Sequence, residues 1–442
     1  MKSRGLLIAA IVLAALSGTL YWSNHRKAKE TEPSPSTETA PKVLSLNASD
    51  FVSLKISKKG AEDLSLSKDN AGKWQIIAPK PFGADQGEVT SLLSTYAALG
   101  SDRLVEAKGS DLSPYGLAQP SLVISVTDKN KKTTDLKIAD DTPAGNGAYA
   151  AVAGDPRVFI IANYNKSSLD KGANDLRDKR LLTFDSDKVT RVELTAKKQT
   201  IEFGRDKDQW QILKPKPLRA EQFAVDDLVR SLHDAKMELS ATDDEKKTQA
   251  AFNSGTVIAT AKVTDVSGTQ TLEIRKAKDD YYAKSSAVGG IYKVLASVGT
   301  STDKSLDDFR NKKLFDFGFT EPDKIEMHDG SKSYFLTHSG TDWWSNGAKM
   351  DESTVTPLVG AIRDLAASKF LDSGFAREAM SITVTSDSGK RVEKVLISKD
   401  GDHYVAKREN EPALYEIPAS SFTDLQNSAG GIKPAPAAPL KK

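Results

Sequence analysis

Cysteine is missing from all 442 residues of this chain, which excludes disulfide bonds, thiol nucleophiles and cysteine-ligated metals. Apolar residues are scarce at 38%, compared with about 45–50% in an average globular protein. Such a composition favours several small domains with thin cores over one large globule. An excess of one charge is also absent, because 62 basic and 60 acidic residues leave a net charge of +2. No overall field therefore attracts nucleic acid.

Recognisable catalytic motifs are absent as well. None of the five histidines lies in a His-Glu-x-x-His helix or in a closely spaced metal pair. A Gly-x-Gly-x-x-Ala pattern at 145–150 precedes a predicted strand rather than a helix, so we interpret it as a turn. Neither a phosphate-binding loop nor a Gly-x-Ser-x-Gly elbow occurs. The sequence therefore predicts no catalytic residue, cofactor, metal site or small-molecule substrate.

The most prominent feature present is an internal repeat. Trp-Gln-Ile followed by Pro-Lys-Pro begins at Trp74 and again at Trp210, an offset of 136 residues. A shortened third copy begins at Trp343-Trp344, where we align Trp344 with Trp210. Self-similarity at a fixed period indicates an array of like structural units.

Each copy combines alternating strands with one amphipathic helix. Val52, Leu54 and Ile56 alternate with polar residues, as in a half-buried strand. The helix in each copy carries apolar residues at i, i+3, i+4 and i+7, which form one face. These sets are Val89, Leu92, Leu93 and Tyr96, then Val225, Leu228, Val229 and Leu232, and finally Val355, Leu358, Val359 and Ile362. We predict an α+β fold of three tandem repeats, each with about six or seven strands in a mostly antiparallel sheet and one or two helices.

The N-terminus is typical of a membrane anchor. Lys2 and Arg4 precede an uncharged run over residues 6–22, near the short limit for a transmembrane helix. A cleaved signal peptide is the alternative. We place the anchor at 1–29, a Pro/Ser/Thr/Glu linker at 30–45, repeats at 46–185, 186–320 and 321–430, and a Pro/Ala/Lys tail at 431–442. The linker and tail are expected to be extended and solvated.

Candidate contact residues are tryptophans and loop lysines. Adjacent Trp343 and Trp344 point to opposite sheet faces, so one of them is expected to be exposed, although core packing is the favoured role for the repeat tryptophans. Lys80 and Lys216 of the Pro-Lys-Pro loops complete this set.

A basic segment recurs at the end of the first two repeats, over residues 175–181 and 308–314. The third repeat lacks it. We therefore predict that it joins one repeat to the next; a site for an anionic ligand is the alternative. The candidate inter-repeat residues are Arg177, Arg180, Arg310 and Lys313.

Several of these features together resemble a bacterial family of domains of unknown function, number 4340. They are Trp74 and Pro79, Pro-Tyr-Gly-Leu at 114–117 followed by Pro120, and Asp-Leu-Arg-Asp-Lys at 175–179. The resemblance is good over residues 50–320 and weak in the third copy, and the second copy lacks Tyr-Gly-Leu. It implies a membrane-anchored extracytoplasmic protein, often encoded beside ABC-transporter components of the gliding-motility type. No catalytic residue carries over from the family.

We therefore expect a non-enzymatic scaffold or accessory protein of a transport or envelope complex. Its body is expected to be periplasmic, held by a single pass in the bacterial inner membrane, with an integral-membrane protein as partner. Charges flanking the anchor do not decide its orientation. The alternatives are a cell-envelope glycan- or peptide-binding module and, less favoured, an enzyme with a carboxylate site between repeats.

Overall fold

The computed structural model describes residues 41–207, 209–240 and 244–436. The predicted anchor and most of the predicted linker lie outside these described residues. Within them, no helix has both the length and the apolar character needed to cross a membrane. The chain divides into two compact units, Met1–Lys179 and Arg180–Lys442. The first unit contains repeat 1, and the second contains repeats 2 and 3. Leu181 and Leu182 pack in the core of repeat 2, and Phe315 and Phe317 pack in the core of repeat 3, so these segments belong to the repeats that they enter.

Repeat 1 forms a nine-stranded sheet within the described residues, with the spatial order β4-β3-β2-β1-β6-β7-β8-β9-β5. Its strands are β1 (Phe51–Lys58), β2 (Leu64–Lys68), β3 (Trp74–Ala78), β4 (Phe82–Gly83), β5 (Arg103–Glu106), β6 (Leu122–Asp128), β7 (Thr133–Asp141), β8 (Ala148–Val152) and β9 (Val158–Ile161). Its helices are α1 (Gln86–Ala97), α2 (Asn163–Leu169) and α3 (Ala173–Leu176).

Repeat 2 has the same topology in its described part, with the order β13-β12-β11-β10-β15-β16-β17-β18-β14. Its strands are β10 (Arg191–Ala196), β11 (Gln199–Asp206), β12 (Gln209–Lys214), β13 (Leu218–Arg219), β14 (Met237–Glu238), β15 (Thr256–Asp265), β16 (Gly268–Ala277), β17 (Asp280–Ser285) and β18 (Ile291–Val294). Its helices are α4 (Gln222–His233), α5 (Glu245–Ser254), α6 (Ala296–Thr302) and α7 (Leu306–Phe309).

Repeat 3 follows the same plan over its described residues, with the order β22-β21-β20-β19-β24-β25-β26-β27-β23. Its strands are β19 (Lys324–Asp329), β20 (Lys332–Ser339), β21 (Asp342–Ser345), β22 (Ala348–Lys349), β23 (Lys369–Leu371), β24 (Glu378–Ser386), β25 (Arg391–Asp400), β26 (His403–Arg408) and β27 (Leu414–Ile417). Its helices are α8 (Glu352–Arg363) and α9 (Ala419–Gly430).

The three antiparallel sheets with flanking helices confirm the predicted α+β class and the three repeats. The expected six or seven strands per repeat was too low, because each described sheet has nine. The expected one or two helices per repeat holds in repeat 3 but was too low elsewhere, because the described parts of repeats 1 and 2 have three and four. The extra strands include β4, β13, β14 and β22, which are two residues long and too short to show alternation.

The long helix of each repeat packs one apolar face on its sheet, as its spacing predicts. The buried side chains are those of the three predicted sets in α1, α4 and α8. Asp85 begins α1 by accepting hydrogen bonds from the backbone N–H groups of Gly87 and Glu88. These two bonds satisfy backbone N–H groups of the first helical turn, which have no hydrogen-bond partner within the helix.

Parts of the predicted linker and tail belong to the fold instead. Val43 and Leu44 are buried in the core of repeat 1, where both backbone N–H groups donate to the carbonyl of Leu99. At the other end, Pro434 pairs with Met350. The expectation of a solvated chain is therefore wrong at Val43 and Leu44, whereas Pro434 is exposed to solvent even though its backbone pairs with Met350.

The ends of every repeat use the same two backbone pairings. The incoming chain pairs beyond the end of the long helix, in Lys42 with Gly100, Arg180 with Lys236, and Lys313 with Ala366. The outgoing chain pairs just before the start of that helix, in Ala84 with Arg177, Ala220 with Arg310, and Met350 with Pro434. Lys433–Ala435 thus takes the place of the basic segment that sequence comparison found missing from repeat 3.

Candidate functional site

The sheet faces turned away from the long helices differ chemically from repeat to repeat. Strand pairing identifies the equivalent positions. Glu202 pairs with Lys214 beside a bulge in repeat 2, as Ser65 pairs with Ala78 beside a bulge in repeat 1. In repeat 3 the position of Glu202 is taken by Phe335, because Glu193 faces Glu202 and Glu326 faces Phe335. The side chain at this equivalent strand position is therefore polar in repeat 1, charged in repeat 2 and aromatic in repeat 3.

The outer face of repeat 2 holds a buried carboxylate among cations. The Glu202 side chain is 1% exposed, and it pairs with Arg191 and, at 2.7 Å, with the Nζ of Lys214. Beside it, Lys262 binds Glu193 at 2.7 Å. We call these five residues the charged face.

Two shallow depressions meet at Arg191 of the charged face. The larger, of about 380 Å³, is lined by Thr190, Arg191, Gly204, Arg205, Asp206, Gln211 and Leu213. The smaller, of about 270 Å³, is lined by Arg191, Glu193, Glu202, Lys214, Lys262, Thr264 and Thr269. Mixed charges of this kind are suited to polar recognition, but they surround no obvious reacting centre.

The outer face of repeat 3 carries aromatic rings instead. Trp344 is 38% exposed and Phe335 is 42% exposed, and they lie on the adjacent strands β21 and β20. His328 stands edge-on to Phe335, with a centroid distance of 5.6 Å. We call Phe335 and Trp344 the aromatic face.

The two adjacent tryptophans have separate roles. Trp343 is buried, donates its indole N–H to Glu321 at 3.0 Å and stacks on His338. It faces His338 across its hairpin, as Trp210 faces Arg205. The alignment of Trp344 with Trp210 is therefore wrong by one residue, since Trp343 fills that position. Trp344 alone of this pair is available to a partner.

The two loop lysines occupy matching positions. Lys80 and Lys216 are exposed. Each directly follows a proline, Pro79 or Pro215, that is joined to the residue before it by a cis peptide bond. They lie in the loops between β3 and β4 and between β12 and β13.

The basic segments sit where the chain passes between repeats. In the first unit, the guanidinium of Arg177 stacks on Phe82 at 3.7 Å. In the second unit, the backbone of Arg180 forms an antiparallel bridge with the backbone of Lys236 in repeat 2. Arg310 pairs through its backbone with Ala220 of repeat 2, and its guanidinium lies 3.4 Å from the ring centroid of Phe370 in repeat 3. Arg310 therefore touches both repeats of the second unit.

Sequence reasoning missed an ion cluster between repeats 2 and 3. Asp316, Glu393 and Glu411 of repeat 3, here called the acidic cluster, all pair with Arg408, at 3.2, 3.0 and 2.8 Å respectively. Arg219 of repeat 2 joins them, at 2.7 Å from Asp316 and 2.8 Å from Glu411. No local pattern predicts this cluster, because Arg219 and Asp316 lie far in sequence from Arg408, although Glu411 is only three residues from it.

Electrostatics follow from burial in this cluster. Burial lowers the pKa of Arg219, but the charges around it, with Asp316 foremost, outweigh burial and hold that pKa above its usual value. Burial raises the pKa of the Tyr415 hydroxyl, which donates to Glu411 at 2.8 Å. Both groups therefore keep their neutral-pH protonation states.

Metal and histidine chemistry finds no support in the described part of the chain, where no group of acidic and histidine residues has the arrangement of a metal site. His328 and His338 do not meet across their hairpin, since His328 faces Ser333 and the N–H of His338 donates to Asp323. The three repeats therefore share one strand topology but present chemically different outer sheet faces.

Comparison with known families matches the chain to Domain of unknown function (DUF4340), over residues 74–251 and 210–381. Both matched regions begin at a repeat tryptophan, Trp74 and Trp210, which agrees with the internal repeat. Comparison with curated proteins gives no significant match, and comparison with solved structures gives none. Since the two regions together span more than half of the sequence, the chain belongs to the DUF4340 family.

Proposed function

We propose that this protein is a non-catalytic scaffold that binds other proteins through the outer faces of its sheets. One observation carries the proposal: the inward positions of all three repeats are apolar, whereas one equivalent outward position holds three chemically different side chains. Ser65, Glu202 and Phe335 occupy one equivalent site on the same backbone. Packing explains the similar interiors. It does not require the outer faces to differ, and repeat arrays bind through such extended surfaces.

The proposal extends to location and partner. The N-terminal run of residues 6–22 would hold the protein in the inner membrane, with the repeats outside the cytoplasm as an accessory part of a transport or envelope complex. An integral-membrane protein is then the expected partner. Protease treatment of spheroplasts tests the location: degradation of the repeats in intact spheroplasts is expected, and full protection would contradict it.

Photo-crosslinking tests the binding surface. A photoreactive amino acid is placed at Ile77, Leu213 or Trp344, which are exposed outward positions in repeats 1, 2 and 3. Tyr164 and Phe223, exposed on helices α2 and α4, serve as matched controls. We expect the outward positions to crosslink one integral-membrane protein in native membranes. Equal crosslinking from the helix positions, or none from the outward ones, would refute the proposal.

Glycan binding is the second candidate, favoured by the aromatic face. Exposed aromatic rings pack well against apolar ligand surfaces while their edges remain wet. Trp344 is 38% exposed, while Trp74, Trp210 and Trp343 are buried, so its fluorescence would report a bound ligand most directly. Adding cell-wall fragments is expected to shift this emission, and Trp344→Phe to abolish the shift. An unchanged spectrum in the wild-type protein would exclude this function.

A further inference from the structure

The acidic cluster of repeat 3 is incomplete without a residue from repeat 2. Within repeat 3, Arg408 is the cation that pairs with all three of its carboxylates. One guanidinium cannot balance three carboxylates, and Glu393 is nearly inaccessible to water, with 5% of its side chain exposed. Buried charges need both a counter-charge and hydrogen bonds to be tolerated.

Arg219 supplies the second guanidinium from β13 of repeat 2. Its side chain is 20% exposed and pairs with Asp316 and Glu411. It also donates to the carbonyl oxygen of Lys313. The two terminal nitrogens of the planar guanidinium donate to Asp316 and to the Lys313 carbonyl, while Nε lies 2.8 Å from Glu411 as an ion pair without a hydrogen bond.

The backbone around Arg219 binds the last segment of repeat 2, from which the chain continues into repeat 3. The Arg219 carbonyl accepts from the N–H of Asn311, and the N–H of Glu221 donates to Phe309. The neighbouring Leu218 packs against the cores of both repeat 2 and repeat 3. The ion pairs therefore sit beside a continuous apolar contact, where water screens them less than at an open surface.

Equivalent positions elsewhere lack this arginine. Gly83 in repeat 1 faces Gln75 as Arg219 faces Gln211, and Lys349 in repeat 3 faces Trp344. Lys349 pairs with Asp342 of its own repeat. The residue of repeat 2 that is equivalent to Asp316 of repeat 3 is Thr183, which has no carboxylate to accept an ion pair. The arrangement is therefore particular to the junction of repeats 2 and 3, not a general property of the repeat.

We infer that Arg219 couples repeats 2 and 3 into one cooperative body, by providing the charge that the acidic cluster of repeat 3 requires. Removing it leaves Asp316 and Glu411, which are 33% and 21% exposed, with Arg408 as the cation that still pairs with both, and the cost falls on repeat 3, which contains them. Repeat 2 keeps its own core. The two repeats should then open separately, whereas in the intact protein they open together.

Native-state hydrogen exchange in increasing urea tests this inference on the full-length chain. Amides of β15 and β16 report on repeat 2, and those of β24 and β25 on repeat 3. In the wild-type protein we expect both sets to share one opening reaction with one urea dependence. In Arg219→Ala, exchange in repeat 3 should accelerate roughly tenfold while repeat 2 changes less, because two partly buried carboxylates have lost one of the two cations that they share.

Chemical rescue distinguishes the missing charge from general damage. Millimolar guanidinium chloride should slow exchange in repeat 3 of Arg219→Ala, while sodium chloride at the same concentration should not. Arg230→Ala is the matched control, because Arg230 pairs with Asp227 where both side chains are 70% exposed. It should leave the common opening intact.

Separate opening of the two repeats in the wild-type protein would overturn the inference, as would an unchanged common opening in Arg219→Ala. Failure of guanidinium to rescue would assign the effect to packing instead of charge and would equally contradict it. If Arg219→Ala does not fold, Arg219→Met keeps the aliphatic stem beside Leu218 and gives the same comparison. Glu411→Gln should also weaken the coupling, since it removes one carboxylate that Arg219 binds.

Discussion

The side-chain amide of Gln86 holds both backbone polar groups of Trp74. Its Nε2 donates to the Trp74 carbonyl at 2.9 Å, and its Oε1 accepts from the Trp74 N–H at 2.9 Å. Gln222 binds the backbone of Trp210 in the same way, at 2.9 and 2.6 Å. The start of the long helix is thereby fixed to the strand that carries the buried tryptophan.

Gln222→Ala is therefore expected to reduce the free energy of unfolding by about 1–3 kcal/mol, because two backbone groups of a part-buried strand lose their partner. Gln222→Glu should cost less, because it keeps the acceptor. Urea denaturation of the full chain measures both. Glu352→Ala is the control, since Glu352 is the exposed first residue of α8 and the N–H of Met350 binds the Trp343 carbonyl instead. An equal loss in the control would contradict this role.

The long helices of repeats 1 and 2 begin with different capping residues. Asp85 accepts from two backbone N–H groups, whereas Glu221 makes no side-chain hydrogen bond of this kind. Asp85→Ala should destabilise the first unit by about 1 kcal/mol, and Glu221→Ala should have almost no effect. The shift in thermal midpoint of each variant checks the comparison. Glu221→Asp should stabilise the second unit, and a loss of stability there would count against the argument.

Alkaline pH should destabilise repeat 1 through Tyr96. This side chain is buried, and its hydroxyl donates to the carbonyl of Thr134 at 2.6 Å. Burial raises the pKa of Tyr96 in the folded protein, and the charge of Asp135 adds to the shift. The fold therefore favours the neutral phenol, so its contribution is complete below the unfolded pKa of about 10 and is lost as pH rises above that value.

Urea denaturation of the first unit at pH 8 and above pH 10 measures this loss. Tyr96→Phe should make the unfolding free energy less dependent on pH in that range, although it loses a hydrogen bond at neutral pH. The equivalent helix positions, Leu232 and Ile362, do not titrate. A steep alkaline loss that persists in Tyr96→Phe would show that another group is responsible.

The charged face of repeat 2 offers a comparison of buried and exposed ion pairs. Glu202→Gln leaves Arg191 and Lys214 without their shared carboxylate, and we expect a loss of about 1–3 kcal/mol. The loss stays moderate because the two cations are 54% and 62% exposed and can be hydrated. Glu193→Gln, which removes the more exposed pair with Lys262, should cost less than about 1 kcal/mol. Equal losses in urea denaturation would contradict this difference in burial.

Local periodicity alone determined the repeated elements. The apolar sets of the long helices, such as Val89, Leu92, Leu93 and Tyr96, are buried as predicted because spacing around a helix places them on one side. The alternation of Leu54 and Ile56 likewise places both in the core. Val52, predicted to share their face, is 38% exposed, because a bulge between Phe51 and Ser53 breaks the alternation and Phe51 is buried instead. The shortest strands and the one-residue shift between Trp343 and Trp344 escaped this reasoning, because register depends on hairpin geometry as well as on pattern.

Three like α+β units follow from the order of the residues alone, since the periodic spacing of apolar residues is a local property. Which side chains meet depends on how distant segments of the chain pack together. Arg219 lies 97 residues from Asp316 and 196 from Tyr415, yet it contacts both. The tertiary structure also includes Val43 and Lys433–Ala435 in the fold. Their backbone groups form hydrogen bonds with residues next to the ends of a long helix, which would otherwise have unpaired backbone groups.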